Sequence, residues 1–384
     1  MVEAVREGMS MRGAARKFRV SLATVQYWVQ RTSRQRLDAV DWADQPRGPR
    51  APSNRTSREV EDRVLSLRSE LKETSALGEY GAQAIYREMA ARGLQPLPHL
   101  RTIGRILERR GALDGHRRVR RAAPPPGWYL PEVASKAAEL DQFDFVEGLV
   151  IRGGTEVEVL TKTSLHGGLE EAWPAAPWTA KRAVEELIAH WREFGVPAYA
   201  QFDNDTRFQG AHQHRDVVGQ VTRLCLSLAI TPVFVPPREP GFQASLENFN
   251  GRWQAKVWAR FEHESLAMLQ TRSHQYILAA RARAASRIEG APPRRCFPVD
   301  WKLDLQAALR GRIIYLRRTN DTGYASILGY SFAIAPDWNH RLVRAEIDLD
   351  AEKIRFYALR RREPTWQPLL GEIDHRLPQR RFKH

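Results

Sequence analysis

Two stretches rich in proline and arginine, 39–57 and 114–131, cannot run as helix or strand, and they cut this chain of 384 residues into parts of different texture. The first carries Pro46, Pro49 and Pro52 among arginines, and the second carries Arg117, Arg118, Arg120 and Arg121 ahead of three consecutive prolines. The division predicts a helical module over 1–38, a linker over 39–57, a second helical module over 58–113 and a basic linker over 114–131. An α/β core over 132–300 and a small basic β-barrel of SH3-like kind over 301–384 complete the expected order.

Charge follows the same division. The net charge is +15, but residues 1–130 hold 25 Lys/Arg against 14 Asp/Glu, 131–300 hold 19 against 21, and 301–384 hold 16 against 10. Basic ends around an acid-bearing centre suit a partner made of phosphates, with double-stranded DNA the expected one. A membrane surface is the weaker match, because no basic amphipathic helix has Trp and Leu on its opposite face. No apolar run is long enough to span a bilayer, and Glu3, Arg6 and Glu7 interrupt any apolar leader, so a cytoplasmic protein is expected. Cys225 and Cys296 are too few and too far apart for a disulfide framework or a thiolate zinc site.

In the first module, Ala14, Ala15 and Phe18 give one helix an apolar side. Ser21 is a predicted N-cap, and Val25, Trp28 and Val29 give the next helix its stripe. The helix-turn-helix so predicted begins so near Met1 that little room is left for a preceding helix. It leaves Thr24, Gln26, Tyr27 and Arg31 to face a major groove, where an ordinary helical hairpin would give these residues no task. In the second module, helices are marked by Val60, Val64 and Leu67, by Ala84, Ile85 and Met89, and by Ile103, Ile106 and Leu107. The last presents Arg101, Thr102 and Arg105 as a second DNA-reading face, and Arg117, Arg118, Arg120 and Arg121 in the linker are expected on phosphates.

From Leu140 the pattern is strand, Gly153-Gly154 turn and strand. A helix over 179–194, a strand ending at Phe202, a helix near 213–228, a strand over 231–235 and a helical repeat from Gln243 to Phe261 follow. Three acids fall at informative places: Asp144 in the first strand, Asp203 at a strand end, and Glu247 one turn into the last helix. Carboxylates gathered from such elements can ligate two hard divalent cations for in-line phosphoryl displacement. Asp141 competes with Asp144, and since the two are an odd number apart on one strand, only one can face the metals; the reading takes Asp144. His212 and His214 are read as solvated rather than metal-bound.

The segments Phe143-Asp144-Phe145, Phe202-Asp203-Asn204-Asp205-Thr206-Arg207-Phe208 and Pro237 through Glu247-Asn248-Phe249-Asn250 resemble the three acid blocks of the retroviral-integrase superfamily. More narrowly they resemble bacterial insertion-sequence transposases with an Asp-Asp-Glu core on a ribonuclease H-like fold. The resemblance implies that Asp144, Asp203 and Glu247 ligate two Mg²⁺ ions, with Mn²⁺ as a substitute. Asn204 and Asn250 would be supporting polar residues, and Arg252 and Lys256 would hold DNA phosphates. It implies hydrolysis at element ends followed by 3′-OH attack on target DNA, by a homo-oligomer that synapses two ends in the bacterial cytoplasm. The step of 44 residues from Asp203 to Glu247 implies an insertion near Gly210–Arg215, and Asp205 is an extra or rival ligand. A catalytically inactive DNA-binding regulator is the alternative, and a simple ribonuclease H-like nuclease the third reading.

Overall fold

The computed structural model describes residues 1–43, 56–113, 126–211, 214–239, 241–335, 337–378 and 382. Arg117, Arg118, Arg120, Arg121 and His212 lie outside them. The chain forms two compact units, 1–60 and 61–384.

In the first unit α1 (Val2–Arg6) precedes the two helices expected, α2 (Met11–Phe18) and α3 (Leu22–Thr32). A single helical turn is enough to precede the motif, which the position of Met1 had been read to disfavour. Ser10 and Ser21 cap α2 and α3, each hydroxyl accepting a backbone N–H of the first turn, at Gly13 and Thr24. Ala14 and Val25 are fully buried where the helices cross, whereas Phe18, expected inside, is 41 % exposed. Gln26 and Tyr27 are exposed as expected. The Thr24 hydroxyl is hydrogen-bonded to Ser21, and Arg31 donates to the carbonyls of Asp41 and Ala43 while stacking on Trp28.

The second unit opens with three helices, α4 (Arg58–Thr74), α5 (Ala82–Ala91) and α6 (Leu100–Arg109). Val64, Leu67, Leu71, Ile85, Met89, Ile103, Ile106 and Leu107 form their common core. Arg101 and Arg105 of α6 are exposed and Thr102 half-buried, off that core.

After α7 (Pro131–Ala134) comes the antiparallel meander β1 (Leu140–Val150), β2 (Glu156–Ser164) and β3 (Glu170–Ala175). Then α8 (Ala180–Phe194) leads to β4 (Tyr199–Phe202), and α9 (Thr206–Gln209) with α10 (Gln220–Ser227) leads to β5 (Thr231–Phe234). Strand β4 pairs parallel with β1, and β5 pairs parallel with β4. The helix expected near 213–228 is therefore shorter and starts at Gln220. Next, α11 (Ala244–Trp253) runs into a π-helical turn over 254–258, and α12 (Leu266–Glu289) packs against β3. Leu246, Phe249, Trp253 and Val257, spaced three or four apart in the helical repeat expected from Gln243 to Phe261, are all buried.

The expected separate barrel is corrected by the strand pairing. Strand β6 (Arg312–Arg318) pairs parallel with β5, and β9 (Leu342–Asp348), β10 (Lys353–Leu359) and β11 (Leu369–Asp374) follow it antiparallel. One mixed sheet of nine strands results, in the order β11-β10-β9-β6-β5-β4-β1-β2-β3, while β7 (Tyr324–Ile327) and β8 (Tyr330–Ala333) form a hairpin of their own. The reason is visible in the sequence of β6. Ile313, Ile314, Tyr315 and Leu316 are all buried, so this strand has apolar residues for both faces, as a central strand needs and an edge strand does not. The protein is thus a mixed α/β structure with a large mixed sheet, and no helix among the described residues is long and apolar enough to cross a membrane.

Candidate functional site

Strand register brings the first two acids together. Strands β1 and β4 run parallel with Leu140, Asp141 and Gln142 level with Tyr199, Ala200 and Gln201. Continued two residues past these pairs, the register carries Asp144 toward Asp203, the first residue after β4, and the charge of Asp203 acts on the Asp144 carboxyl. The pleat gives Gln142 and Asp144 one face and Gln201 and Asp203 the same face. The Gln142 amide donates to Gln201 Oε1 at 2.6 Å, which fixes that face directly. On the opposite face the Phe143 and Phe202 rings stack at 5.2 Å inside the main core. The sheet reverses at this point, since β2 and β3 lie on one side of β1 and β4 to β6 on the other. Open α/β sheets commonly hold their ligand crevice at such a switch point, outside the carboxyl ends of the parallel strands.

Beneath the acids lies a buried polar floor. Gln201 donates to the Tyr129 hydroxyl at 2.7 Å, and Gln142 and the Tyr129 hydroxyl both donate to the Phe242 carbonyl at 3.1 Å. Above the floor, burial pushes the Asp144 carboxyl up to about 7, with the charge of Asp203 adding to it and the Phe145 N–H and Asn250 opposing it. Burial likewise raises Asp203 to about 6, against the N–H of Asp205. Two half-buried carboxylates held side by side favour an added proton or a cation between them.

Helix α11 packs against β1 and β2 beside the acids. The Gln243 amide donates to the Phe143 carbonyl at 3.1 Å, and Asn250 Nδ2 donates to Asp144 Oδ2 at 3.0 Å. Glu247, four after the first and three before the second, shares their face of the helix. Its side chain is exposed, and among the described residues no group of three or more His, Cys, Asp or Glu stands together in metal-holding geometry. The structure therefore brings Asp144, Asp203 and Asn250 together and leaves Glu247 at the rim. The oxygens that could hold a hard divalent cation are the two carboxylates, whose charge is costly alone, and the buried Asn250 Oδ1, which has no hydrogen-bond partner among the described residues.

The competing acids are occupied elsewhere. Asp141 is fully buried on the far face, paired with Arg294 and, at 3.1 Å, with Lys162; burial would raise its carboxyl, but the two cations hold it below the ordinary range. Asp205 caps α9 and binds Arg207, whose guanidinium also reaches Glu147 and Glu158 and lies 3.7 Å from the Phe145 ring centroid. Arg207 thus ties the turn after Asp203 to β1 and β2. Asn204 turns from the acids, donating to the Val235 carbonyl and accepting from buried Arg317. Arg252 is paired with Glu170, and Lys256 donates to the Gly78 carbonyl at 2.8 Å, so both are engaged within the chain. Sequence reasoning passed over Gln142 and Gln201, although each precedes an acid by two on its strand, the spacing that places it on the acid's face.

No protein-family model matches the chain. Among solved structures, the catalytic core domain of BIV integrase is similar at 17 % identity and a TM-score of 0.28, over 36 % of this chain and 81 % of that one. A chain of the simian T-cell lymphotropic virus intasome, in complex with PP2A regulatory subunit B56 gamma, is similar at 14 % identity and a TM-score of 0.33, over 75 % of this chain and 91 % of that one.

Proposed function

We propose that this chain is a metal-dependent DNA transposase of the insertion-sequence kind, using Asp144 and Asp203, with Glu247 from α11, to cleave and rejoin phosphodiesters. The observation that supports the reading is the parallel pairing of β1 with β4, which leads toward Asp144 and Asp203, two half-buried carboxyls that are both raised toward neutral, Asp144 in part by the charge of Asp203. A divalent cation bound there supplies Lewis acidity to phosphate oxygens and makes an attacking water or 3′-hydroxyl more acidic. The protein's own residues hold the carboxylates ready. Asn250 fixes one oxygen of Asp144, the Asp205 N–H fixes one oxygen of Asp203, and the Gln142–Gln201–Tyr129 floor keeps both strands in register beneath them. Glu247, on the face of α11 shared by Gln243 and Asn250, is at the rim where a phosphate would enter. The exposed polar residues of α3 and α6 are the DNA-reading faces in this proposal, and two copies would join two DNA ends.

The test is end cleavage and strand transfer on the DNA flanking the native gene, with Mg²⁺ or Mn²⁺, for wild type, Asp203→Asn and Glu247→Gln. Metal-dependent nicking and joining by wild type, lost in both variants while DNA binding persists, is expected. Binding with no cleavage in wild type would move the protein to the DNA-binding regulators.

A further inference from the structure

The edge of the sheet that carries Asp203 continues into a basic groove. Strands β1, β4, β5 and β6 are parallel, so their carboxyl ends share one edge; β9 starts at that edge and β10 ends at it. Arg318, Arg341, Arg360 and Arg361 come from those ends and line an open groove of about 650 Å³ with His340 and Glu239. Four strand spacings separate β4 from β10, about 19 Å, the axial length of five to six base pairs of duplex.

Three features make the groove fit a polyanion. Its one lining carboxylate, Glu239, is already bound by Arg318 at 2.7 Å and by Arg361 at 3.5 Å. Arg341 has no carboxylate partner among the described residues, and its guanidinium stacks on Trp338 at 4.7 Å. Arg360 stacks on Trp366 at 4.2 Å and on Trp338 at 5.3 Å, with one guanidinium nitrogen paired to the exposed Glu363 at 3.0 Å, a surface pair that a phosphate can replace. Stacking restrains a planar guanidinium, so less side-chain entropy is lost when its N–H groups meet a phosphate. One loop also links the groove to the acids. The loop that supplies Glu239 goes on to Phe242, whose ring lies 5.3 Å under Arg361 and whose carbonyl anchors the polar floor below Asp144.

We infer that this groove is a track for the DNA backbone, leading one strand along the sheet edge to the Asp144–Asp203 crevice. The inference rests on the phosphodiester reading of that crevice and adds the path by which the substrate reaches it.

The experiment is fluorescence anisotropy of a labelled 30-base-pair duplex with the full chain in EDTA, across a range of KCl, for wild type and Arg341→Gln/Arg360→Gln. Two lost phosphate contacts make the slope of log K against log [salt] shallower by about 1.8 and weaken binding at least tenfold at about 100 mM salt. The charge-preserving Arg341→Lys/Arg360→Lys keeps the slope. If the double Gln variant does not fold, Arg341→Gln alone is expected to change the slope by about 0.9. A folded variant with unchanged slope overturns the track. So does a loss of slope seen with an RNA duplex and not with DNA. Because no phosphodiester chemistry runs in EDTA, failure here leaves the catalytic reading standing, and an inactive crevice leaves this result untouched.

Discussion

Replacing Asp144 with asparagine is expected to stabilise the metal-free protein above neutral pH. The folded carboxyl is raised from the ordinary 3.8 to about 7, roughly three units, and each unit corresponds to about 1.4 kcal/mol. The full cost of ionising it in place is therefore about 4 kcal/mol, and solvent reaching a half-buried group reduces this to about 2–4 kcal/mol. The sign follows from proton binding. Between about pH 4 and 7 the folded state keeps a proton that the unfolded chain has released, so stability falls through that window and is level above it. Asparagine removes the decline and keeps an oxygen for Asn250. For the unit 61–384 a change of 2–4 kcal/mol moves the midpoint by about 3–6 °C. Thermal melts in EDTA at pH 4 and pH 8 read it, with the variant level with wild type at the first and higher at the second. Mg²⁺ at ten times its Kd then raises wild type by about 1.4 kcal/mol and the variant by much less. A variant no more stable than wild type at pH 8, or equally shifted at both pH values, would refute the reasoning.

Two further outcomes are expected. Asp141→Asn leaves Lys162 and Arg294 without their buried counter-charge and costs about 3–5 kcal/mol, read as a lower denaturant midpoint; an unchanged midpoint would show that the buried ion pairs are not needed. Arg101→Ala/Arg105→Ala on the exposed face of α6 lowers duplex affinity without moving the melting midpoint, and equal affinity would remove α6 from the DNA-reading surfaces.

Much of the crevice was legible because strand parity is a local rule. Asp141 and Asp144 had to face opposite ways, and the burial of Asp141 against Lys162 and Arg294 shows which way each went. The same rule, applied two residues back from each acid, reaches Gln142 and Gln201, which sequence reasoning does not single out. What local pattern could not supply is partner choice. The apolar runs of β6 and β9 and the alternation of β10 announce strands but not that β6 joins β5 by Val233–Ile314 and Phe234–Tyr315, a pairing across some 80 residues. Strand β11 and helix α12 were missed altogether. The stripe of α12 is thin, with Leu269, Ser273, Tyr276, Ile277 and Ala280 buried among many charged and small residues. Strand β3 carries Pro174, which its place at the edge of the sheet among the described residues tolerates.

The fused sheet has a consequence for anyone dividing this protein. A cut near residue 300, where the sequence changes texture, would strip β6 from β5 and uncover a raw strand edge bearing Val233 and Phe234. Such an edge recruits other chains. A fragment ending there is expected to precipitate rather than fold, and the C-terminal piece, deprived of the neighbour its first strand is built to join, would share that fate.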